Sequence, residues 1–267
     1  MERGAVAAFS GREDRPRFRL FGELPAETPG GAQISRFGRS VCTVGDLDGD
    51  EIPDFAVGAS AAGAGTSSVG EVRFCSGRDG STLRAVRGPL TPRTFGLGER
   101  LAPAGDVDGD GVEDVLVSTW DDGPVYVLSS RSGACLRTLL HQRPGHYLDG
   151  FGDSIALAGD VDGDGIPDYA VGCSEFMADS EDDYCVEIFS GREGWVLGVY
   201  DSDAKSASVA EGRDFDLDGI PDLPVGLPEL DEVVILSGRQ FALRPPGSEV
   251  KRPNWWATLE IRRDQFP

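Results

Sequence analysis

The sequence has no apolar run approaching the ~18 residues that a membrane span requires, and no basic-then-apolar leader at its N-terminus. It reads as a soluble chain without direct membrane insertion, whether a cytoplasmic protein, a mature form or part of a longer one. Basic side chains are scarce: 25 Lys and Arg stand against 46 Asp and Glu, a formal charge of −21. A nucleic-acid or anionic-membrane partner needs a face supplied with Lys and Arg, so neither is expected. Cys-x-x-Cys is absent, which leaves zinc ribbons and dithiol redox motifs unsupported. Helical periodicity longer than a turn is also missing. What remains is a chain of short strands.

The five cysteines are an odd number and cannot all pair within the chain. Cys42 and Cys75 sit where sister repeats hold small or apolar residues, which predicts core filler. Cys173 and Cys185 flank an acidic segment that a disulfide between them would close.

With 37 glycines and 17 prolines the chain is rich in turns, yet 39% hydrophobic residues suffice to bury a core. The acidic excess has two readings. A solvated surface explains the run Asp179, Ser180, Glu181, Asp182, Asp183, whereas bound cations require carboxylates at regular spacing. Spacing decides between them.

Aligned on their first aspartates, Asp46, Asp106, Asp160 and Asp214, four copies recur with a period of 54 to 60 residues, the size of a propeller blade. Three open on Phe-Gly (Phe37-Gly38, Phe95-Gly96, Phe151-Gly152), while Lys205-Ser206 stands there in the fourth. A short apolar strand leads into the Asp loop. A second strand follows it (around Val57, Val117, Val171 and Val225), then a third ending at Ser76, Ser129, Ser190 or Ser237. Turns such as Ser76-Gly77-Arg78-Asp79-Gly80 reverse the chain into a fourth strand. Four short antiparallel strands per repeat predict an all-β fold, a β-propeller of four-stranded antiparallel blades.

The expected boundaries are a half blade over 1–36, blades with a metal loop over 37–94, 95–150 and 151–204, a degenerate blade over 205–248, and a C-terminal strand over 249–267. Val6 to Phe9 and Phe18 to Phe21 match a third and fourth strand, and Ala257 to Ile261 falls where a first strand belongs. Either the two ends share a closing fifth blade, or the chain is a fragment of a larger propeller.

Each loop reads D-x-D-x-D-x-x-x-D: Asp46, Asp48, Asp50, Asp54; Asp106, Asp108, Asp110, Asp114; Asp160, Asp162, Asp164, Asp168; Asp214, Asp216, Asp218, Asp222. Carboxylates at alternate positions of a tight loop point to one centre and repel one another unless a hard cation neutralises them. Calcium suits that set best, at about four sites. The residue at position seven (Ile52, Val112, Ile166, Ile220) is expected to add a backbone oxygen. Position six is glycine in three loops and Glu51 in the first, and Arg213 precedes the fourth, so the second and third loops are expected to bind best. An EF-hand is excluded because position twelve is Val57, Val117, Val171 or Val225, each inside a predicted strand. Metal-free acidic turns are the alternative to a cation.

Phe-Gly, the sequences Gly45 to Asp50, Gly105 to Asp110 and Gly159 to Asp164, and Gly58-Ala59-Ser60 resemble the FG-GAP repeats of integrin α-subunit propellers and related bacterial proteins. The resemblance covers nearly residues 1 to 245. It implies calcium on one face, an unidentified protein or glycan ligand on the loops of the other, and an extracellular or cell-surface location. An adhesion or interaction scaffold is the expected function, with no catalytic residues. The rivals are a purely structural repeat within a larger surface protein, and a propeller-based hydrolase or lyase using the segment from His141 to Tyr147, which holds both histidines.

Overall fold

The computed structural model describes residues 4–12, 14–23, 35–62, 69–91, 95–120, 123–141, 150–173, 184–202, 204, 206–240 and 259–261. The described elements are strands, save two three-residue 3₁₀ turns at Pro228–Leu230 and Gly238–Gln240. A two-stranded sheet pairs β1 (Ala5–Phe9) with β2 (Pro16–Phe21). Four four-stranded sheets follow. They are β3 (Phe37–Gly45) to β6 (Thr82–Arg87), β7 (Leu101–Gly105) to β10 (Cys135–Leu139), β11 (Ser154–Gly159) to β14 (Val196–Ser202), and β15 (Ser208–Val209) to β18 (Leu259–Ile261).

The inner strands of each sheet are β4 (Asp54–Ala59) and β5 (Glu71–Cys75), β8 (Asp114–Val117) and β9 (Val125–Leu128), β12 (Asp168–Gly172) and β13 (Tyr184–Phe189), and β16 (Leu223–Leu227) and β17 (Glu232–Leu236). They fall on the second and third apolar runs of the repeats. Strands are hydrogen-bonded in chain order within every sheet.

The chain divides into two compact units, Met1–Leu136 and Arg137–Pro267. Alternation of side chains about the strands explains the core of the first. On one face of the first sheet, Ala56 and its cross-strand partner Phe74 pack with Val115, Val117, Tyr126 and Leu128 of the second sheet. On the other face, Phe37, Val57 and Cys75 meet Val6 and Leu20 of the two-stranded sheet. Both faces of β4 and β5 are thus covered, which accounts for the apolar residues that each of these strands carries on its two sides. The second unit repeats the arrangement, with Ala170, Val186 and Ile188 packed against Leu223, Val225, Val234 and Leu236.

Cys75 is fully buried in one of these clusters and Cys42 packs against the other. Burial pushes their thiols up to about 11 and about 12, consistent with inert filler. The Cys185 side chain lies outside the described residues.

The fourth sheet departs from the expected pattern at both edges. Its first strand shrinks to Ser208–Val209, in the copy that lacks Phe-Gly. Leu259–Ile261, expected to open a further blade, instead pairs antiparallel with β17 through Leu259↔Ile235 and Ile261↔Val233. Without it that edge of β17 would present unpaired amides and carbonyls.

The turn after each third strand closes tightly on the return of the Asp loop. A Cβ added at Gly77, Gly191 or Gly238 would lie 2.0, 1.8 or 2.0 Å from the carbonyl oxygen of Pro53, Pro167 or Pro221. The second sheet differs in both partners: Ser130 replaces the glycine and Glu113 the proline. Ser130 Oγ is buried with no hydrogen-bond partner among the described residues. Gly191→Ala is therefore expected to destabilise the protein by ~1–3 kcal/mol through overpacking. Ser130→Ala should leave stability unchanged or raise it by about 1 kcal/mol, because it removes an unsatisfied hydroxyl. Urea unfolding of both variants checks the pair, and equal losses would contradict this packing.

Candidate metal centres

Each Asp loop is the connection between the first and second strands of a sheet. In the first three it closes on a Gly–Asp pair, Gly45↔Asp54, Gly105↔Asp114 and Gly159↔Asp168, next to a register shift. These glycines have φ of 76°, 74° and 84°, the left-handed conformation that opens such a bulge. The fourth loop closes differently. Arg213 and Asp222 exchange two backbone hydrogen bonds of 2.9 and 2.7 Å, so that position does not need glycine's freedom. The Arg213 guanidinium pairs with Glu211 at 2.8 Å.

Inside the loops, one hydrogen-bond scheme recurs. The first carboxylate accepts the amides of positions five and six: Asp50 and Glu51 donate to Asp46, Asp110 and Gly111 to Asp106, Asp164 and Gly165 to Asp160, and Asp218 and Gly219 to Asp214. The third-position carboxylates, Asp48, Asp108, Asp162 and Asp216, also accept the amide of position five. The fifth accepts from position seven, where the amides of Ile52, Val112, Ile166 and Ile220 donate at 2.8 to 2.9 Å. These bonds fold the loop back on its own side chains.

The ninth carboxylate ties the loop to the sheet. Asp54, Asp114 and Asp168 are fully buried and Asp222 nearly so. One oxygen of each accepts the amide of position two: Leu47, Val107, Val161 or Phe215. The other accepts an amide of the turn after the third strand, that of Gly77, Ser130, Gly191 or Gly238. From sequence these four residues were expected as ligands alone. The sequence's one trace of this second role is a Ser-x-Arg turn repeated in step with the loops, and its composition alone does not name the donor.

Three carboxylates in every loop bring an oxygen within 4.8 Å of one another. The trios are Asp46, Asp48, Asp50; Asp106, Asp108, Asp114; Asp160, Asp162, Asp168; and Asp214, Asp216, Asp218. The remaining members of the expected sets, Asp54, Asp110, Asp164 and Asp222, stand outside these trios. The electrostatics match a cluster short of positive charge. Burial pushes the Asp168 carboxyl up to about 7 and the Asp114 carboxyl up to about 6, with neighbouring aspartates adding to the effect. Asp48 and Asp162 are raised as well, by desolvation first and by adjacent carboxylates. Asp50 is held below the ordinary carboxylate range, mainly by its hydrogen bond from Arg78. An all-oxygen, all-carboxylate donor set of this kind fits a hard divalent cation, which removes the repulsion and reverses the upward shifts.

Two loops carry strained residues. Glu51 has φ 67° where the sister loops place Gly111, Gly165 and Gly219. Leu217 has φ 62° where they place Gly49, Gly109 and Gly163, and its side chain is 85% exposed. Left-handed backbone costs roughly 1–2 kcal/mol for a residue with a Cβ.

His141, a candidate for hydrolase chemistry, is packed rather than presented: its ring lies 5.2 Å from that of Phe151, and Nδ1 is 3.3 Å from Glu187 Oε1. Glu187 is buried. His146 and the acidic run Asp179–Asp183 lie outside the described residues.

Residues 37–73, which carry Phe37-Gly38 and the first loop, match the FG-GAP repeat. Integrin alpha-PS2 of Drosophila melanogaster is 31% identical over 239 residues, 78% of this chain and 16% of its own length. Integrin alpha-5 of Xenopus laevis is 30% identical over 229 residues, 77% of this chain and 21% of its own length. The chain therefore spans only a minor part of these curated relatives. Among solved structures, the Dos1 propeller superposes with a TM-score of 0.52 at 8% identity, covering 88% of this chain and 50% of that one. Sqt1 of Saccharomyces cerevisiae gives a TM-score of 0.51 at 13% identity, covering 74% of this chain and 45% of that one. Likeness at such identities speaks for the fold alone. The chain thus carries an FG-GAP repeat, has the four-stranded antiparallel blades of a β-propeller, and is similar over most of its own length to integrin α chains.

Proposed function

We propose that each Asp loop binds one calcium ion, and that the chain is a calcium-stabilised β-propeller serving as an interaction or adhesion scaffold outside the cell. The observation that carries this reading is the recurrence, four times, of three carboxylate oxygens gathered within 4.8 Å. In each loop the first, third, fifth and ninth aspartates would hold the ion, with the carbonyl of position seven. Calcium is favoured over magnesium because it accepts many protein oxygens in irregular geometry, whereas magnesium retains its waters.

The similarity to integrin α chains supports a binding role rather than catalysis, with a protein or glycan as partner, and the charge of −21 argues against nucleic acid. Among the described residues no helix is long and apolar enough to cross a membrane. At ten times a dissociation constant of ~10⁻⁴ to 10⁻³ M, each site adds roughly 1.4 kcal/mol, so four together rival the stability of an ordinary domain.

Calcium titration by calorimetry tests the metal reading. Four sites are expected, and Asp162→Ala should remove one while leaving three. Its carboxylate holds a loop amide, not the tie to the sheet, so the fold survives its loss. Proton linkage gives a second signature. Without the ion, Asp168 and Asp114 have carboxyls raised to about 7 and about 6, so near pH 6.5 they are partly protonated. The raised values mean that, metal-free, these two groups favour the fold at low pH and lose that contribution as pH rises through 6 to 7. Calcium displaces their protons, so binding heats near pH 6.5 should depend on the buffer's ionisation enthalpy, and affinity should fall on acidification. Buffer-independent heats with unchanged affinity at pH 5.5 would contradict the assignment.

The scaffold reading has its own test. Surfaces coated with the chain should retain cells in millimolar calcium and release them on chelation. Retention that is equal with and without calcium, or absent in both, would count against it.

A further inference from the structure

The arginine that ends each Ser-x-Arg turn reaches into the neighbouring Asp loop. Arg78, Arg131, Arg192 and Arg239 place Nε 2.5, 3.3, 2.8 and 2.9 Å from Oδ2 of the fifth-position aspartates Asp50, Asp110, Asp164 and Asp218. In two blades the guanidinium also donates to the backbone oxygen of the same aspartate, from Arg78 at 3.2 Å and from Arg192 at 2.6 Å. The other oxygen, Oδ1, is already held by the amide of position seven. Both oxygens of this carboxylate therefore have partners within the protein. In the second and third loops, Asp110 and Asp164 stand outside the converging trio.

An isolated surface ion pair contributes little. Here the arginine pairs with one member of a loop that holds four aspartates, and it recurs in all four loops although the turn residue before it changes from glycine to Ser130. Its charge offsets carboxylate repulsion when no ion is bound, and opposes the ion when one is.

We infer that these four arginines are resident counter-cations: each holds the metal-free loop in shape by occupying the fifth carboxylate, and each competes with calcium for it. They are positioning residues, and the inference rests on the calcium reading. It makes affinity a property set partly by a residue two strands further along the chain, in the turn that follows the third strand of the same sheet.

Arg192→Gln and Arg192→Lys, compared with the wild type in excess chelator and in millimolar calcium, test this. Arg192 is about half exposed on a surface turn, so both variants should fold. The Gln variant is expected to melt several degrees lower than the wild type in chelator but nearly level with it in calcium. Calorimetry should show one of the four sites tightened, by up to about tenfold for the removal of a nearby positive charge. The Lys variant, which keeps the charge, should show less of both effects. Equal lowering of the melt in chelator and calcium would reduce the arginine to a turn anchor and overturn the inference, as would weaker calcium binding in Arg192→Gln. The wild-type melt judges the calcium reading separately: no shift between chelator and calcium ends that reading, and with it this one.

Discussion

Like charge gathered in a small space is the constraint on which the rest of this structure depends. Each loop packs four aspartates into nine residues, and the chain answers the repulsion with everything local that can donate. Backbone amides of positions two, five, six and seven point at carboxylates, an amide from the third-strand turn reaches the ninth, and an arginine reaches the fifth. These bonds make the loop a rigid hairpin end and fasten it to the edge of the inner strands. The buried ninth aspartate is the junction between loop and core. Its desolvation is the cost of that arrangement, visible in the raised carboxyls of Asp168 and Asp114.

Much of this was legible in the sequence because the repeat presents each element four times. The second and third strands of every sheet were marked by short apolar runs, and the loops by a spacing that EF-hands do not share at position twelve. The donor side of the loop chemistry was not legible. Ser76-Gly77-Arg78 reads as a hairpin turn, and nothing in its composition says that Gly77 donates to Asp54 or Arg78 to Asp50. Those contacts join segments on either side of two strands. The outer strand of the fourth sheet was misplaced for a similar reason: Ala257 to Ile261 has a strand's composition, and composition does not say which edge it pairs with.

The four copies are not equivalent. The second keeps the scheme with Ser130 and Glu113 in place of glycine and proline, so the turn contact tolerates a paired change. The fourth departs most, with Arg213 at the loop entrance, a first strand of two residues, and Leu217 at a left-handed position with its side chain in solvent. Yet its internal hydrogen bonds match those of the others, including the ties of Asp222 to Phe215 and Gly238. Loop shape is thus maintained by the aspartates themselves, and the flanking residues tune its cost. The expected weakness of the fourth site through the charge of Arg213 is tempered by Glu211, which pairs with that guanidinium.

Anomalous diffraction from crystals grown in calcium addresses the central claim most directly, because it locates the ion without reference to stability or affinity. Four peaks are expected, each ringed by the aspartates of one loop: one near Asp46, Asp48 and Asp50, and others near Asp106, Asp160 and Asp214 with their neighbours. Well-ordered loops without anomalous density in saturating calcium would contradict it.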